Sequence, residues 1–387
     1  MKSRGPGSRA VGVVAAAVAA LAVALGLGAC GGGSGGGIEG GGSTEAAKVE
    51  LEGKPSGSLT ISNWPLYIDK QTVPDFEKAT GVSVKYVEDI NSNEEYFNKM
   101  QPILAKGESG GRSMMVLADY EVTKMHELGY VQELDKSALP NVEKYLNKSL
   151  RHPSFDPERS FTVPWQSGMT GIIVNKELAP EIKSICDLFN PKYKGKIDFL
   201  NEVRETVPLV MKCEGVDPDS ATESDWMQAI DKIKGAAQSG QIRRFTGNDY
   251  AADLTNGNVV AVIGWSGDAV QLQADNPNLE WRMPTEGCML WSEDMIIPVG
   301  APNPTAAEAF MNYVYDPKNQ AQIAEYVNYV TPVEGVKEIL QKKDSELAEN
   351  DLIFPSASFT KKCSNTPILK GEEEQKVVQA FDAVLNE

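Results

Sequence analysis

Between Ser58 and Ser62 apolar and polar residues alternate, the two-residue period of a half-buried strand. The spacing then becomes helical over 72–80 and stops at Gly81. A second strand is expected over Val82–Val87, and an amphipathic helix from Glu94 to about Lys106. Met114–Ala118 is a short continuous apolar run between turn signals, the pattern of a parallel strand buried on both faces. The rhythm returns further on. Strands are expected over Thr170–Asn175, Lys196–Leu200, Asn258–Trp265, 279–284 and 294–299. Helices are expected over Glu223–Lys234, 267–275, 304–315 and 317–327, with a last amphipathic one over Gly371–Leu385. This order predicts an α/β fold, an open sheet with helices on its faces, and it contains no internal repeat.

In open α/β sheets ligands sit beyond the carboxyl ends of the strands, where loops enter helices. Trp64 follows the first strand and Tyr120 the third; Glu202 follows the strand over 196–200, and Trp265 ends the strand over 258–265. With Tyr67, Glu205, Trp291, Glu293 and Tyr329 they form a scattered aromatic and acidic set that only the fold brings together. Aromatic faces and carboxylates both attract cations, so a cleft lined by both reads as a trap for an organic polycation. The bland alternatives are that each aromatic is core and that Glu202 and Glu205 merely complement a helix dipole. Trp165, Trp226 and Trp281 read as packing, although Trp165 could line the cleft.

The N-terminal stretch adds a location. Lys2, Arg4 and Arg9 precede an apolar run from Val11 to Leu27, and Leu27-Gly28-Ala29 precedes Cys30. A basic start, an apolar middle and small residues before a cut site form an export signal over 1–29. The cysteine after Leu-Gly-Ala resembles the bacterial lipobox, which would make Cys30 the lipidated first residue of the mature chain. Residues 30–57 are rich in Gly and Ser and read as a flexible tether. The expected location is the outer face of the cytoplasmic membrane, with the lipid as the only membrane contact. The whole chain carries a formal charge of -17; without the leader's basic residues it has 34 Lys and Arg against 54 Asp and Glu. That balance argues against nucleic acid and against a basic membrane-binding face. Cys186, Cys213, Cys288 and Cys363 allow two disulfides in three pairings and fit no metal or redox motif. No metal and no cofactor are expected.

Several local patterns together resemble the spermidine/putrescine-binding proteins of bacterial ABC importers. They are Asn63-Trp64-Pro65-Leu66-Tyr67, Ser92-Asn93-Glu94 with Lys99, Tyr120 with Lys124-Met125, and Tyr193-Lys194-Gly195. Arg204-Glu205, Trp265-Ser266-Gly267, Trp291 two residues before an acid, and Tyr329 with Thr331-Pro332 complete the series over 58–340. The resemblance implies a two-lobed periplasmic-binding-protein type II fold with a hinge and a cleft between lobes. Lobe 1 would comprise 58–166 plus about 292–335, and lobe 2 would comprise 167–291 plus about 336–387. Crossovers would fall near 165–170, 290–295 and 335.

The resemblance also implies roles. Glu202 and Glu205 would hold one terminal amine and Glu293 an inner amine, with Glu293 preferred over Asp294 because strand alternation puts it on the side of Trp291. Trp64, Tyr67, Tyr120, Trp265, Trp291 and Tyr329 would stack on methylene groups and ammonium ends. Pro65 and Ala118 depart from the pattern, standing where a polar residue and a serine are usual. A polyamine, a permease and an ATPase are the implied partners of a monomeric receptor that does no covalent chemistry. Other organic amines, opine-like or amino-alkyl, are the alternative ligands, with iron(III) behind them. The one enzyme-like motif, Gly107-Glu108-Ser109-Gly110-Gly111, needs a strand-to-helix elbow but falls between an expected helix and an expected strand. Only two histidines, His126 and His152, are present and neither completes a triad, so an enzyme is not expected.

Overall fold

The computed structural model describes residues 54–386. The expected export signal, Cys30 and the expected tether up to residue 53 lie outside the described residues. The first lobe's strands are β1 (Ser58–Asn63), β2 (Ser83–Glu88) and β3 (Met114–Ala118), joined by α1 (Thr72–Thr80) and α2 (Asn93–Leu104). Helices α3 (Asp119–Glu127) and α4 (Pro140–Tyr145) follow, then the long strand β4 (Val163–Asn175). The second lobe continues with β5 (Ile197–Leu200), α5 (Val203–Cys213), α6 (Glu223–Gln238), β6 (Ile242–Thr246), α7 (Tyr250–Thr255), β7 (Ala261–Trp265), α8 (Ser266–Asp275) and β8 (Leu279–Arg282). After β9 (Met289–Ile296) come α9 (Pro304–Val314), α10 (Pro317–Val327), α11 (Val336–Lys343), α12 (Ser345–Ala348), α13 (Ala357–Thr360), β10 (Ser364–Asn365) and α14 (Gly371–Leu385).

The sheet runs in the order β2-β1-β3-β9-β4-β7-β5-β6, with β10 beside β9 and β8 beside β4. Pairs β1–β2, β1–β3, β5–β6 and β5–β7 are parallel, as helical crossovers require. The central pair β4–β9 is antiparallel. It joins a β2-β1-β3 lobe to a β7-β5-β6 lobe. α14 packs on α5 and α6, whereas α11 packs on α10.

Local chemistry explains the element ends. α1 stops because Gly81 adopts φ 76° and returns its N–H to Glu77 O. α2 begins where the Ser92 hydroxyl accepts from the Glu95 N–H at 3.4 Å. α6 begins at a capping box of Thr222 and Asp225.

Two strands differ from expectation. β4 spans 13 residues rather than the six of Thr170–Asn175, because Pro164, Gln166, Ser167 and Gly168 mask the apolar signal of its first half. β9 covers Met289–Ile296 rather than 294–299, because the polar run Ser292-Glu293-Asp294 sits inside it. α3 had no separate signal, since it starts on the residue after β3 with no intervening loop. Arg159 and Asp294 form an ion pair at 2.8 Å beneath β9, with Asp294 fully buried.

The cysteine pairing left open by the sequence is resolved as Cys186–Cys213 and Cys288–Cys363. Non-reducing peptide mapping should return these two linked pairs and no others. The Cys288–Cys363 bridge closes a separation of 75 residues. Replacing both of its cysteines with serine should therefore lower the unfolding free energy by about 4 kcal/mol in denaturant titrations. No loss of stability would mean that this bridge does not constrain the unfolded chain.

Candidate ligand-binding site

The carboxyl ends of β1, β3, β5 and β7 converge on a cavity between the lobes. Five aromatic residues (Trp64, Tyr67, Trp265, Trp291, Tyr329) and three acids (Glu205, Asp268, Glu293) line it, together with Pro65, Asn93, Ala118 and Asn248. No lysine, arginine or histidine lines it. Seven of the nine residues expected from the sequence face this space.

The aromatic lining falls into two groups of touching rings. Trp64 meets Trp265 edge-on at 5.9 Å between centroids, Tyr67 meets Tyr329 at 5.2 Å, and Tyr329 meets Trp291 at 5.4 Å. Glycines seat two of these rings. A Cβ on Gly168 would lie 2.3 Å from the Trp291 ring, and one on Gly267 would lie 2.5 Å from Tyr329. The Gly267 of the Trp265-Ser266-Gly267 motif is thus where a ring lies against backbone. Trp165 is buried behind the wall, edge-on to Tyr67 at 6.3 Å, and does not line the cavity.

Two of the three acids are held in place by donors. Glu205, in the first turn of α5, accepts from the Trp265 indole Nε1–H at 2.8 Å and from the Thr170 hydroxyl. Asp268, in the first turn of α8, accepts from the Tyr329 hydroxyl at 2.5 Å, the Tyr250 hydroxyl at 2.6 Å and Asn248 Nδ2 at 3.2 Å. Glu293 shares the cavity face of β9 with Trp291, while Asp294 points the other way to Arg159.

Tyr120 and Glu202 are the two expected residues that do not line the cavity. They sit one layer behind it, bonded to each other: the Tyr120 hydroxyl donates to Glu202 Oε2 at 2.7 Å. The backbone N–H of Asn93, at the start of α2, donates to Glu202 Oε1 at 2.9 Å. The pattern gave no sign of this, because Asn93 approaches from the other lobe. Asp268, Asn93 and Asn248 were not expected as lining residues. Asp268 had one available signal, its three-residue spacing from Trp265 at a helix start.

Burial dominates the electrostatics. It pushes the Glu205 carboxyl up to about 7, against the lowering effect of its bonds from Thr170 and Trp265. Glu293 is driven well above the usual carboxylate range by burial, partly offset by Tyr67. Asp268 is raised by burial and pulled back by Tyr250, Tyr329 and Asn248. Such carboxyls favour a proton or a bound cation over bare ionisation. Among the described residues no cluster of three or more His, Cys, Asp or Glu is placed to hold a metal ion. No described helix is long and apolar enough to cross a membrane.

An interlobe cavity of this kind defines a receptor, and the comparisons with known proteins agree. The family model for bacterial extracellular solute-binding proteins matches residues 71–354, and the chain belongs to that family. It is a binding protein and not an enzyme. The spermidine/putrescine-binding periplasmic protein of Escherichia coli is 27% identical over 310 residues, covering 79% of this chain and 85% of its own length. The putrescine-binding periplasmic protein PotF of the same species is 29% identical over 330 residues, with the same coverage of 79% and 85%. A solved chain from Listeria monocytogenes superposes with a TM-score of 0.76 at 28% identity, over 84% of this chain and 98% of its own. The fold is the two-lobed periplasmic-binding type.

A stability prediction follows from the raised carboxyls. Asp119, Glu121, Asp198 and Glu308 are also pushed up to about 7, chiefly by burial. Because the folded form binds these protons more tightly than the unfolded chain, their contribution is complete at low pH and is lost as pH rises through about 7. The melting temperature of ligand-free protein should fall from about pH 5 to about pH 8. Glu205→Gln, neutral throughout, should make that fall shallower; identical slopes would show that Glu205 does not titrate from a buried site.

Proposed function

We propose that this chain is the receptor subunit of an ABC importer for a polyamine of the putrescine and spermidine class. The observation that carries this reading is the cavity's composition: three carboxylates and five aromatic faces with no basic side chain among them. A ligand entering there has to bring positive charge on a slender apolar frame. Ammonium groups neutralise Glu205, Asp268 and Glu293 without asking them to take up protons, and methylene groups lie against indole and phenol faces. Each cation–π contact contributes about 0.5–2 kcal/mol once water is excluded. The names of the Escherichia coli relatives support the same class. Pro65 offers no N–H and Ala118 no hydroxyl at the cavity edge, so acids and rings carry the recognition.

In this reading Cys30 anchors the protein by lipid to the outer face of the cytoplasmic membrane, and the Gly/Ser-rich segment after it is a tether. The monomer captures its ligand by lobe closure and presents it to a permease driven by an ATPase.

Calorimetry of the purified protein against putrescine, spermidine, spermine and a non-amine control tests the class. Saturable binding of at least one polyamine is expected. Glu205→Gln should weaken it at least tenfold, about 1.4 kcal/mol. Trp265→Ala should remove most binding while the melting transition persists. Silence toward every polyamine from folded protein would overturn the class, and unchanged affinity in Glu205→Gln would take that residue out of the site.

A further inference from the structure

Glu202 and Glu205 are three residues apart on one helix start, yet they meet different neighbours. Glu205 takes its donors from Thr170 and Trp265, on the β4 and β7 strands, and faces the cavity. Glu202 takes its donors from the opposite lobe: the Asn93 N–H at 2.9 Å and the Tyr120 hydroxyl at 2.7 Å. Between them in sequence stands Arg204, which is 1% exposed. Its Nη1 donates to Glu94 of α2 at 2.9 Å, its Nη2 donates to Glu374 of α14 at 2.6 Å, and its guanidinium lies 4.4 Å over the Tyr120 ring. Lys124 of α3 reaches Glu374 at 3.9 Å from the first lobe. A few residues away the backbones nearly touch. A Cβ on Gly247 would lie 2.1 Å from the Asn91 carbonyl oxygen, so only glycine permits that approach.

We propose that Glu202 and Arg204 form a clasp that joins the two lobes without help from the ligand, and that Glu205 alone of the acid pair is left to meet an amine. Glu202 and Arg204 are then positioning residues. The assignment of Glu205 to an amine rests on the polyamine reading; the clasp does not. The Tyr120 side chain is the hinge pin of the arrangement, with its ring under Arg204 and its hydroxyl on Glu202. A clasp of this kind sets the fraction of receptor in the binding-competent form, and apparent affinity scales with that fraction for every ligand alike. A direct contact with an amine acts differently, because its loss falls unequally on ligands that reach it and ligands that do not.

Spin labels on exposed Lys85→Cys and Asp231→Cys, one on each lobe, read the lobe separation by electron–electron dipolar coupling. The ligand-free protein should show a short-distance population. Glu94→Gln and Arg204→Met should deplete it, as should Gly247→Ala, whose methyl group forces the lobes apart. Glu205→Gln should leave the distribution unchanged. In calorimetry, Glu94→Gln and Glu202→Gln should weaken putrescine and spermidine by the same factor, about tenfold for a tenfold drop in the competent fraction. Where Arg204→Met fails to fold, Glu94→Gln decides, since it removes a charge at the edge of the cluster and preserves shape. A ligand-free distribution that is wholly long, or one untouched by Glu94→Gln, overturns the clasp. A loss in Glu202→Gln confined to one amine returns Glu202 to the ligand. If the unaltered protein binds no polyamine, the polyamine reading falls while the distance measurement still decides the clasp.

Discussion

Antiparallel pairing of β4 with β9 is the contact on which the rest of the structure depends. Among the described residues β3 pairs only with β1 and β9, and β7 only with β4 and β5, so this ladder is the connection the sheet makes between lobes. The same two strands also furnish the site. β9 presents Trp291 and Glu293 to the cavity, and β4 supplies Gly168 beneath the indole and Thr170 beside Glu205. A change in how the lobes are inclined therefore cannot leave the binding surface untouched. Closure and recognition share a backbone.

The second constraint is electrostatic. Withholding water from three carboxylates is unfavourable unless a cation or protons replace it. The fold spends its own cations elsewhere: Arg159 is committed to Asp294, and Arg204 to Glu94 and Glu374. The cavity is thus left short of positive charge by construction, while these two buried guanidiniums are paired in the layers around it. That division separates a surface made to be filled from one made to hold shape.

How much of this was legible in the chain depended on what each residue had to do. β1 alternates, β3 is an unbroken apolar run and α10 keeps a helical spacing, each because its neighbours are plain core, and they were readable. The flanks of β4 and β9 were not, because the polar residues that serve the cavity or the Arg159 pair interrupt the apolar pattern. At the site, Trp64, Glu205 and Trp265 sit where the ends of strands put them, whereas Trp291 and Glu293 lie within β9 and Tyr329 follows α10. Glu202 and Tyr120 occupy equivalent places along the chain, but each meets partners from the opposite lobe, Glu202 the Asn93 N–H of α2 and Tyr120 the Glu202 carboxylate and the Arg204 guanidinium, which no local spacing encodes. Asp268 was overlooked for a related reason. An acid in the first turn of a helix is ordinarily a dipole complement, and only Tyr250 and Tyr329 closing over it reveal another use.

The two disulfides have a mechanical consequence. Cys186–Cys213 and Cys288–Cys363 both lie on the β7-β5-β6 side, and neither crosses to the β2-β1-β3 side. The receptor is therefore a stapled body joined to an unstapled one. Oxidation stiffens one partner of the closing movement and leaves the movement itself free. Strain from heat or pulling should find its first yielding point in the lobe that no covalent bridge protects.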